Sequence, residues 1–150
     1  MDDTDRKILA ELQKDGRISI TELGERIGLS LSPCHRRVRA LEQAGVISGY
    51  RAIINPARVG LNFSAIVFVT LREGSSDSVR SFESVLLDIP EIIRAQRLFG
   101  EPDYILHVVT RDLNAFQRLY DRSLSALPSV LRLTSTLVMK SIVQNRPLPL

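Results

Sequence analysis

A short helix that ends at a glycine and is followed at once by an arginine-rich helix constrains the fold of this chain more than any other feature. Ser19 and Glu22 have the Ser-x-x-Glu spacing of a capping box, so they predict where the short helix begins. Gly28 suits the left-handed backbone that closes a helix. An earlier amphipathic helix is predicted over residues 5–13, with Thr4 as its N-cap. Three helices joined by such tight turns are typical of a helix-turn-helix.

The third helix carries the only cysteine of the chain beside one of its two histidines. Cys34, Val38 and Leu41 follow the i, i+4, i+7 spacing of one face and are expected in the core. His35 points about 100° away from Cys34, because a helix has about 3.6 residues per turn. A catalytic Cys–His pair requires hydrogen-bond reach, which adjacent helical residues do not have. A metal site would need further ligands, and His107 is remote in the sequence.

Arginine is concentrated on another face of the third helix, for which Ser30 or Ser32 is the expected N-cap. Residues 30–58 hold five arginines and one acidic residue, so positive charge is concentrated in this segment. One face follows the spacing i, i+3, i+4, i+7 and consists of Ser32, His35, Arg36 and Arg39, with Arg37 at its flank. The major groove of DNA admits one helix, so we predict double-stranded DNA as the partner of this face.

Residues 62–143 have the pattern of a second domain. Strands are predicted over residues 65–71, 92–99, 104–110 and 130–143, with helices over 76–87 and after Asp112. This order, β-α-β-β-α-β, is the ferredoxin-like arrangement. A strand, or a pair of strands, is also predicted over residues 46–54 of the first domain.

One face of the predicted sheet is left without helices. The first strand carries apolar side chains on both faces, with Ile66 and Phe68 on one and Val67 and Val69 on the other. Large exposed apolar surfaces are rare in monomers. We therefore predict a homodimer that forms through this sheet, with His107 buried or interfacial rather than a ligand.

Short motifs along most of the chain point to one family. The N-terminal ones are Asp5-Arg6-Lys7-Ile8-Leu9, Asp15-Gly16-Arg17, Leu23-Gly24, Ile27-Gly28-Leu29-Ser30, Arg37-Val38-Arg39-Ala40-Leu41-Glu42, Gly45-Val46-Ile47, Gly49-Tyr50, Asn55-Pro56 and Val59-Gly60. Residues 100–104 and 134–139 add to them. Together they resemble the Lrp/AsnC (feast/famine) family of prokaryotic transcriptional regulators. The resemblance implies an N-terminal winged-type helix-turn-helix and a ferredoxin-like domain that binds amino acids. It also implies homodimers that assemble further, often into octamers.

Two sets of site residues follow from the helix pattern and the resemblance. The predicted DNA contacts are Thr21, Ser30, Ser32, Pro33, His35, Arg36, Arg37 and Arg39. Of these, Arg36 and Arg39 are expected to read bases and Arg37 to contact phosphate.

The resemblance implies an effector site between dimers. Its residues are Leu98, Phe99, Gly100, Glu101, Pro102, Asp103, Tyr104, Thr134, Thr136, Leu137, Val138 and Met139. Glu101 stands where the family usually has aspartate, which places the carboxylate one methylene further out. Backbone amides, the Asp103 carboxylate and the Thr136 hydroxyl suit a zwitterionic amino acid.

The sequence thus predicts an α+β chain with a helix-turn-helix domain over residues 1–54, a linker over 55–62 and an effector-binding and oligomerisation domain over 63–150. No nucleophile motif, phosphate loop or carboxylate pair is evident, so neither enzymatic activity nor a cofactor is expected. The N-terminus lacks the pattern of a signal peptide, and no apolar run reaches about 18 residues, so we expect a cytoplasmic protein away from membranes. The alternative hypothesis is a ferredoxin-like small-molecule-binding domain or enzyme with a helical docking arm, for which Cys34 would be reactive.

Overall fold

The computed structural model describes all 150 residues, which form two compact units. The N-terminal unit comprises Met1–Ile53 together with Ile142–Leu150, and the second unit comprises Ile54–Ser141. The segment 142–150, which the sequence assigned to the second domain, therefore groups with the N-terminal unit. None of the helices combines the length and the apolar character that a bilayer-spanning segment requires.

Three helices make up the N-terminal unit: α1 (Asp3–Lys14), α2 (Ile20–Ile27) and α3 (Leu31–Gln43). α1 begins two residues earlier than predicted, and its N-cap is Asp2 rather than Thr4. The reason is a reciprocal capping box between Asp2 and Asp5, which satisfies two free backbone amides at this end of the helix.

α2 begins and ends where its sequence signals predict. The Ser19 hydroxyl accepts the backbone N–H of Glu22 at 3.1 Å, and Gly28 closes the helix in the left-handed conformation with φ +75°. α3 begins after Ser30, whose side chain makes no capping hydrogen bond. The three helices enclose a small core of buried side chains, namely Ile8, Leu9, Ile18, Leu23, Cys34, Val38 and Leu41.

The strand predicted over residues 46–54 is not formed. A strand forms only where another strand supplies partners for its backbone hydrogen bonds, and the N-terminal unit contains no other strand. Val46, Tyr50, Ile53 and Ile54 are exposed instead. The segment 142–150 is tied to α1 of this unit, where the Gln13 side chain accepts the Leu148 N–H at 2.6 Å and donates to the Leu148 carbonyl at 3.3 Å.

The second unit has the predicted order of strands and helices. Its elements are β1 (Phe63–Leu71), α4 (Ser76–Leu86), β2 (Ile92–Arg97), β3 (Tyr104–Thr110), α5 (Leu113–Leu119) with a π-helical turn (Tyr120–Leu124), and β4 (Val130–Leu137). A 3-10 turn (Pro56–Val59) precedes β1. The four strands form one antiparallel sheet in the order β2-β3-β1-β4, so the α+β class and the βαββαβ arrangement are confirmed. β4 is shorter than the predicted 130–143, because its pairing with β1 ends at Ala65 and Leu137.

The two helices of this unit cover one face of the sheet. Val67 and Leu106 are fully buried there and pack in one core with Phe82 of α4 and Leu119 of α5. Burial of each such side chain contributes about 1.5–3 kcal/mol relative to exposure. The opposite face carries no helix, and its central side chains are only partly buried: Ile66, Phe68, Ile105 and His107.

Candidate functional site

The outer surface of α3 is the first candidate site. Ser32, His35, Arg36 and Arg39 are exposed, whereas Cys34, Val38 and Leu41 lie in the core. The predicted separation of Cys34 from His35 is therefore confirmed. Burial raises the pKa of the Cys34 thiol, which disfavours the thiolate that nucleophilic chemistry requires. No group of three or more His, Cys, Asp or Glu side chains is placed to hold a metal ion.

Arg36 and Arg39 are the free positive charges of α3. Neither guanidinium forms an ion pair with a carboxylate of the chain. Leu31 is 54% exposed at the start of the same helix. Leu31 was not among the predicted contacts, because apolar residues are expected in the core, although its i, i+4 spacing to His35 places the two side by side. We refer to Leu31, Ser32, His35, Arg36 and Arg39 as the α3 face.

The other predicted DNA contacts differ in their surroundings. Thr21 is exposed in the first turn of α2, Ser30 is exposed in the turn between α2 and α3, and Pro33 is half-buried. Arg37 is turned towards α1, where its Nη1 donates to Asp2 Oδ2 and to Asp5 Oδ1, both at 2.8 Å. The pKa of Arg37 is raised by these two carboxylates. The pKa of Asp2 is lowered, first by the hydrogen bond from the Asp5 amide and then by Arg37.

The predicted effector residues differ in their exposure to solvent. The exposed ones are Phe99, Gly100, Glu101, Thr134, Thr136, Leu137 and Met139, and the half-buried ones are Leu98, Pro102, Asp103 and Val138. Tyr104 is only 2% exposed.

Tyr104 and Asp103 both have structural partners. The Tyr104 ring lies 4.7 Å from that of Phe82 in the core, and its hydroxyl donates to Glu83 Oε1 at 2.7 Å. Burial and the Glu83 carboxylate raise the pKa of Tyr104 to about 12. Asp103 Oδ2 accepts the backbone N–H of Leu71 at 2.7 Å, which fixes the end of β1. One carboxylate oxygen of Asp103 is therefore already engaged in a hydrogen bond within the protein.

A cavity of about 410 Å³ brings three of the predicted effector residues together: Glu101, Pro102 and Thr134. It is also lined by Phe68, Thr70 and Arg132, which were not predicted. Arg132 Nη2 donates to Glu101 Oε1 at 3.0 Å, so the wall carries charges of both signs. Strand register is the signal that identifies the missed residues, because Phe68 pairs with Thr134 and Thr70 with Arg132.

Comparisons with known proteins match both units. Residues 1–48 match the winged helix-turn-helix DNA-binding family, and residues 64–148 match the Lrp/AsnC ligand binding domain. The chain is 39% identical over 148 residues to a leucine-responsive regulatory protein of Klebsiella pneumoniae, covering 99% of this chain and 90% of that protein. It is 38% identical over 148 residues to a proline dehydrogenase transcriptional activator of Rhodobacter capsulatus, covering 98% and 96%. A transcriptional regulator from Neisseria meningitidis in complex with L-Met has the same fold, with a TM-score of 0.93, 36% identity and coverage of 99% and 96%.

Proposed function

The chain belongs to the Lrp/AsnC family of transcriptional regulators, and from this premise we propose how its two sites act. The α3 face enters the major groove of DNA, and the cavity beside β4 binds an amino acid that modulates DNA binding. DNA binding is supported by the two exposed arginines of α3 that have no carboxylate partner. Amino-acid binding is supported by the Glu101–Arg132 pair at the cavity wall.

Base recognition is assigned to the arginines of the α3 face. An arginine that bonds the O6 and N7 atoms of guanine contributes about 1–3 kcal/mol of discrimination. Arg36 and Arg39 have free guanidinium groups for such contacts. Exposed Leu31 suits contact with a thymine methyl group, since apolar side chains read that group in the major groove.

The wild-type protein is first used to select a preferred duplex from a random library. The affinities of three alanine variants for that duplex are then compared. Arg36→Ala and Arg39→Ala are each expected to weaken binding roughly 5- to 150-fold, if each loses one base contact. Arg118→Ala is the matched control, because Arg118 is exposed on α5 in the other unit and has no ion-pair partner. Equal affinities for all three variants would refute the role of the α3 face.

The cavity has the chemistry that a zwitterionic amino acid requires. Arg132 is placed to hold a carboxylate, Glu101 to hold an ammonium group and the Thr134 hydroxyl to donate or accept. Phe68 supplies an apolar wall for a side chain. The L-Met bound by the Neisseria meningitidis regulator supports an apolar amino acid as the effector of this chain as well.

A thermal-shift screen of the twenty amino acids tests the effector proposal. A ligand present at about 100 times its Kd stabilises the folded protein by about 2.7 kcal/mol. The shift is expected to disappear in Arg132→Gln and Glu101→Gln. Thr136→Ala is the control, because Thr136 does not line the cavity. Loss of the shift only in Thr136→Ala would place the effector elsewhere, and no shift with any amino acid would reject the proposal.

We also propose that two copies of the chain associate through the helix-free face of the sheet. Ile66 and Ile105 lie on this face beside the cavity, and no helix covers them. Ile105→Asp is expected to give a monomer in light scattering. Leu87→Asp is the control, because Leu87 is 87% exposed at the end of α4, away from the sheet face, and should leave the mass unchanged. The wild-type mass also reports whether dimers assemble into the octamer that the family resemblance implies.

A further inference from the structure

Asp2, Asp5 and Arg37 form a closed cluster in which every carboxylate oxygen has a partner. Asp2 Oδ1 accepts the Asp5 N–H at 2.9 Å, and Asp5 Oδ2 accepts the Asp2 N–H at 3.1 Å. These two bonds cap α1. The remaining oxygens, Asp2 Oδ2 and Asp5 Oδ1, both accept from Arg37 Nη1 at 2.8 Å. One arginine of α3 is therefore joined to the first turn of α1 by the same carboxylates that begin that helix.

Two ion-pair clusters join helices of the N-terminal unit at similar exposure: this one links α1 to α3, and the pair of Glu11 with Arg26 links α1 to α2. Asp5 is only 16% exposed and Arg37 is 36% exposed, so the contact is partly shielded from water. Arg37 is adjacent in sequence to Arg36 and two residues from Arg39, so any rotation of α3 about its axis moves all three. The cluster is thus placed to fix the rotation of α3 relative to α1.

We propose that Asp2 and Asp5 are positioning residues for DNA recognition, acting through Arg37 to orient the α3 face. This inference rests on the proposed DNA-binding function of that face. It assigns Arg37 to the fold of the DNA-binding unit rather than to a phosphate contact.

When Asp2 or Asp5 is neutralised, the proposal and simple electrostatics predict opposite changes in affinity for the preferred DNA sequence. Removing a carboxylate from a DNA-binding unit makes the unit more positive, which strengthens attraction to the phosphate backbone of any sequence. If the carboxylates position α3, their removal instead weakens binding to the preferred sequence, because base contacts depend on orientation. The ratio of specific to non-specific affinity therefore falls when either acid is neutralised.

The test measures this ratio for Asp5→Asn and Asp2→Asn, with the selected duplex and a random-sequence duplex as probes. A fall of roughly fivefold or more is expected, which is the smallest effect of losing one bidentate base contact. Asp3→Asn is the matched control, because Asp3 lies in the same turn of α1, is exposed and has no hydrogen-bond or ion-pair partner among side chains. It should leave the ratio near the wild-type value. Asparagine is as good an N-cap as aspartate, so Asp2→Asn keeps the start of α1 if Asp5→Asn fails to fold.

Variants of Arg37 separate positioning from phosphate contact. Arg37→Gln should lower the ratio without changing the slope of log affinity against log salt, and Arg37→Lys should restore part of the ratio because it retains the charge. A slope reduced by about 0.9 would mean that Arg37 contacts phosphate and would overturn the proposal. An unchanged or higher ratio in Asp5→Asn and Asp2→Asn would also overturn it. Failure of the wild-type protein to bind any selected duplex would instead reject the proposed function itself.

Discussion

Replacing Gly24 by alanine tests how α2 and α3 are held together. A Cβ atom at this position would lie 2.6 Å from the Leu29 carbonyl oxygen and 3.7 Å from the Cβ atom of Cys34. The Leu29 N–H also donates to the Gly24 carbonyl at 2.8 Å. The close neighbour is therefore backbone that is itself hydrogen-bonded to α2, and it cannot rotate away as a flexible side chain would.

The expected loss of stability follows from two opposing effects. Overpacking in a filled core costs about 1–3 kcal/mol, and a contact this short belongs near the upper limit. Alanine recovers about 1 kcal/mol of helix propensity relative to glycine. The net loss is about 1–2 kcal/mol. For a unit of about 60 residues, this lowers the unfolding midpoint by roughly 5–15 °C.

Scanning calorimetry of the whole chain is the assay. Gly24→Ala should lower the transition of the N-terminal unit, and DNA affinity should fall with it, because the turn sets the angle between α2 and α3. Gly74→Ala is the control, since nothing lies within 4 Å of a Cβ atom there and its backbone does not require glycine. A Gly24→Ala transition as high as that of Gly74→Ala would refute this account of the turn.

Three further predictions concern the N-terminal unit. A thiol reagent should modify Cys34 slowly in the native protein and rapidly after denaturation, because the side chain is buried and its thiol pKa is raised; rapid native labelling would support the Cys–His hypothesis. Gln13→Ala should lower the unfolding midpoint of the unit by a few degrees, because it removes both hydrogen bonds to Leu148, each worth about 0.5–1.5 kcal/mol. Gln144→Ala is the control and should leave the midpoint unchanged. The pKa of Asp2 is lowered in the folded protein, so its ionised carboxylate stabilises the fold. This stabilisation is fully present above the ordinary pKa of 3.8 and is lost as the pH falls towards the pKa of Asp2 in the folded protein. The stability difference between wild type and Asp2→Asn, measured by urea unfolding, should therefore shrink below pH 3.8, and a constant difference would contradict the argument.

The sequence predicted those features that depend on local periodicity. The faces of α3 follow from 3.6 residues per turn, which is why Cys34 and His35 were separated correctly. The order of strands and helices in the second unit follows from apolar alternation and turn residues. The cap of α1 was misplaced because Thr4 and Asp2 are both good N-caps, and only the reciprocal bond with Asp5 decides between them.

Features that depend on a distant partner were not predictable in the same way. The segments 46–54 and 138–143 have strand-like composition, but neither forms a strand because neither finds a continuous ladder of backbone partners. The ion pairs of Arg37 with Asp2 and Asp5 belong here too, because helix geometry gives the direction of Arg37 but not the carboxylates that it meets. The family resemblance implies that Tyr104 belongs to the effector site, whereas strand alternation turns its side chain into the core.

The most direct test of the central claim is the salt dependence of DNA affinity for the wild-type protein. Affinity for the selected duplex and for a random duplex should be measured between about 50 and 200 mM salt. Log affinity is expected to fall linearly with log salt, by about 0.9 per phosphate neutralised, and the selected duplex is expected to bind at least about 10³-fold more tightly than the random one. Salt-independent binding, or no binding to either duplex at about 50 mM salt, would contradict the central claim.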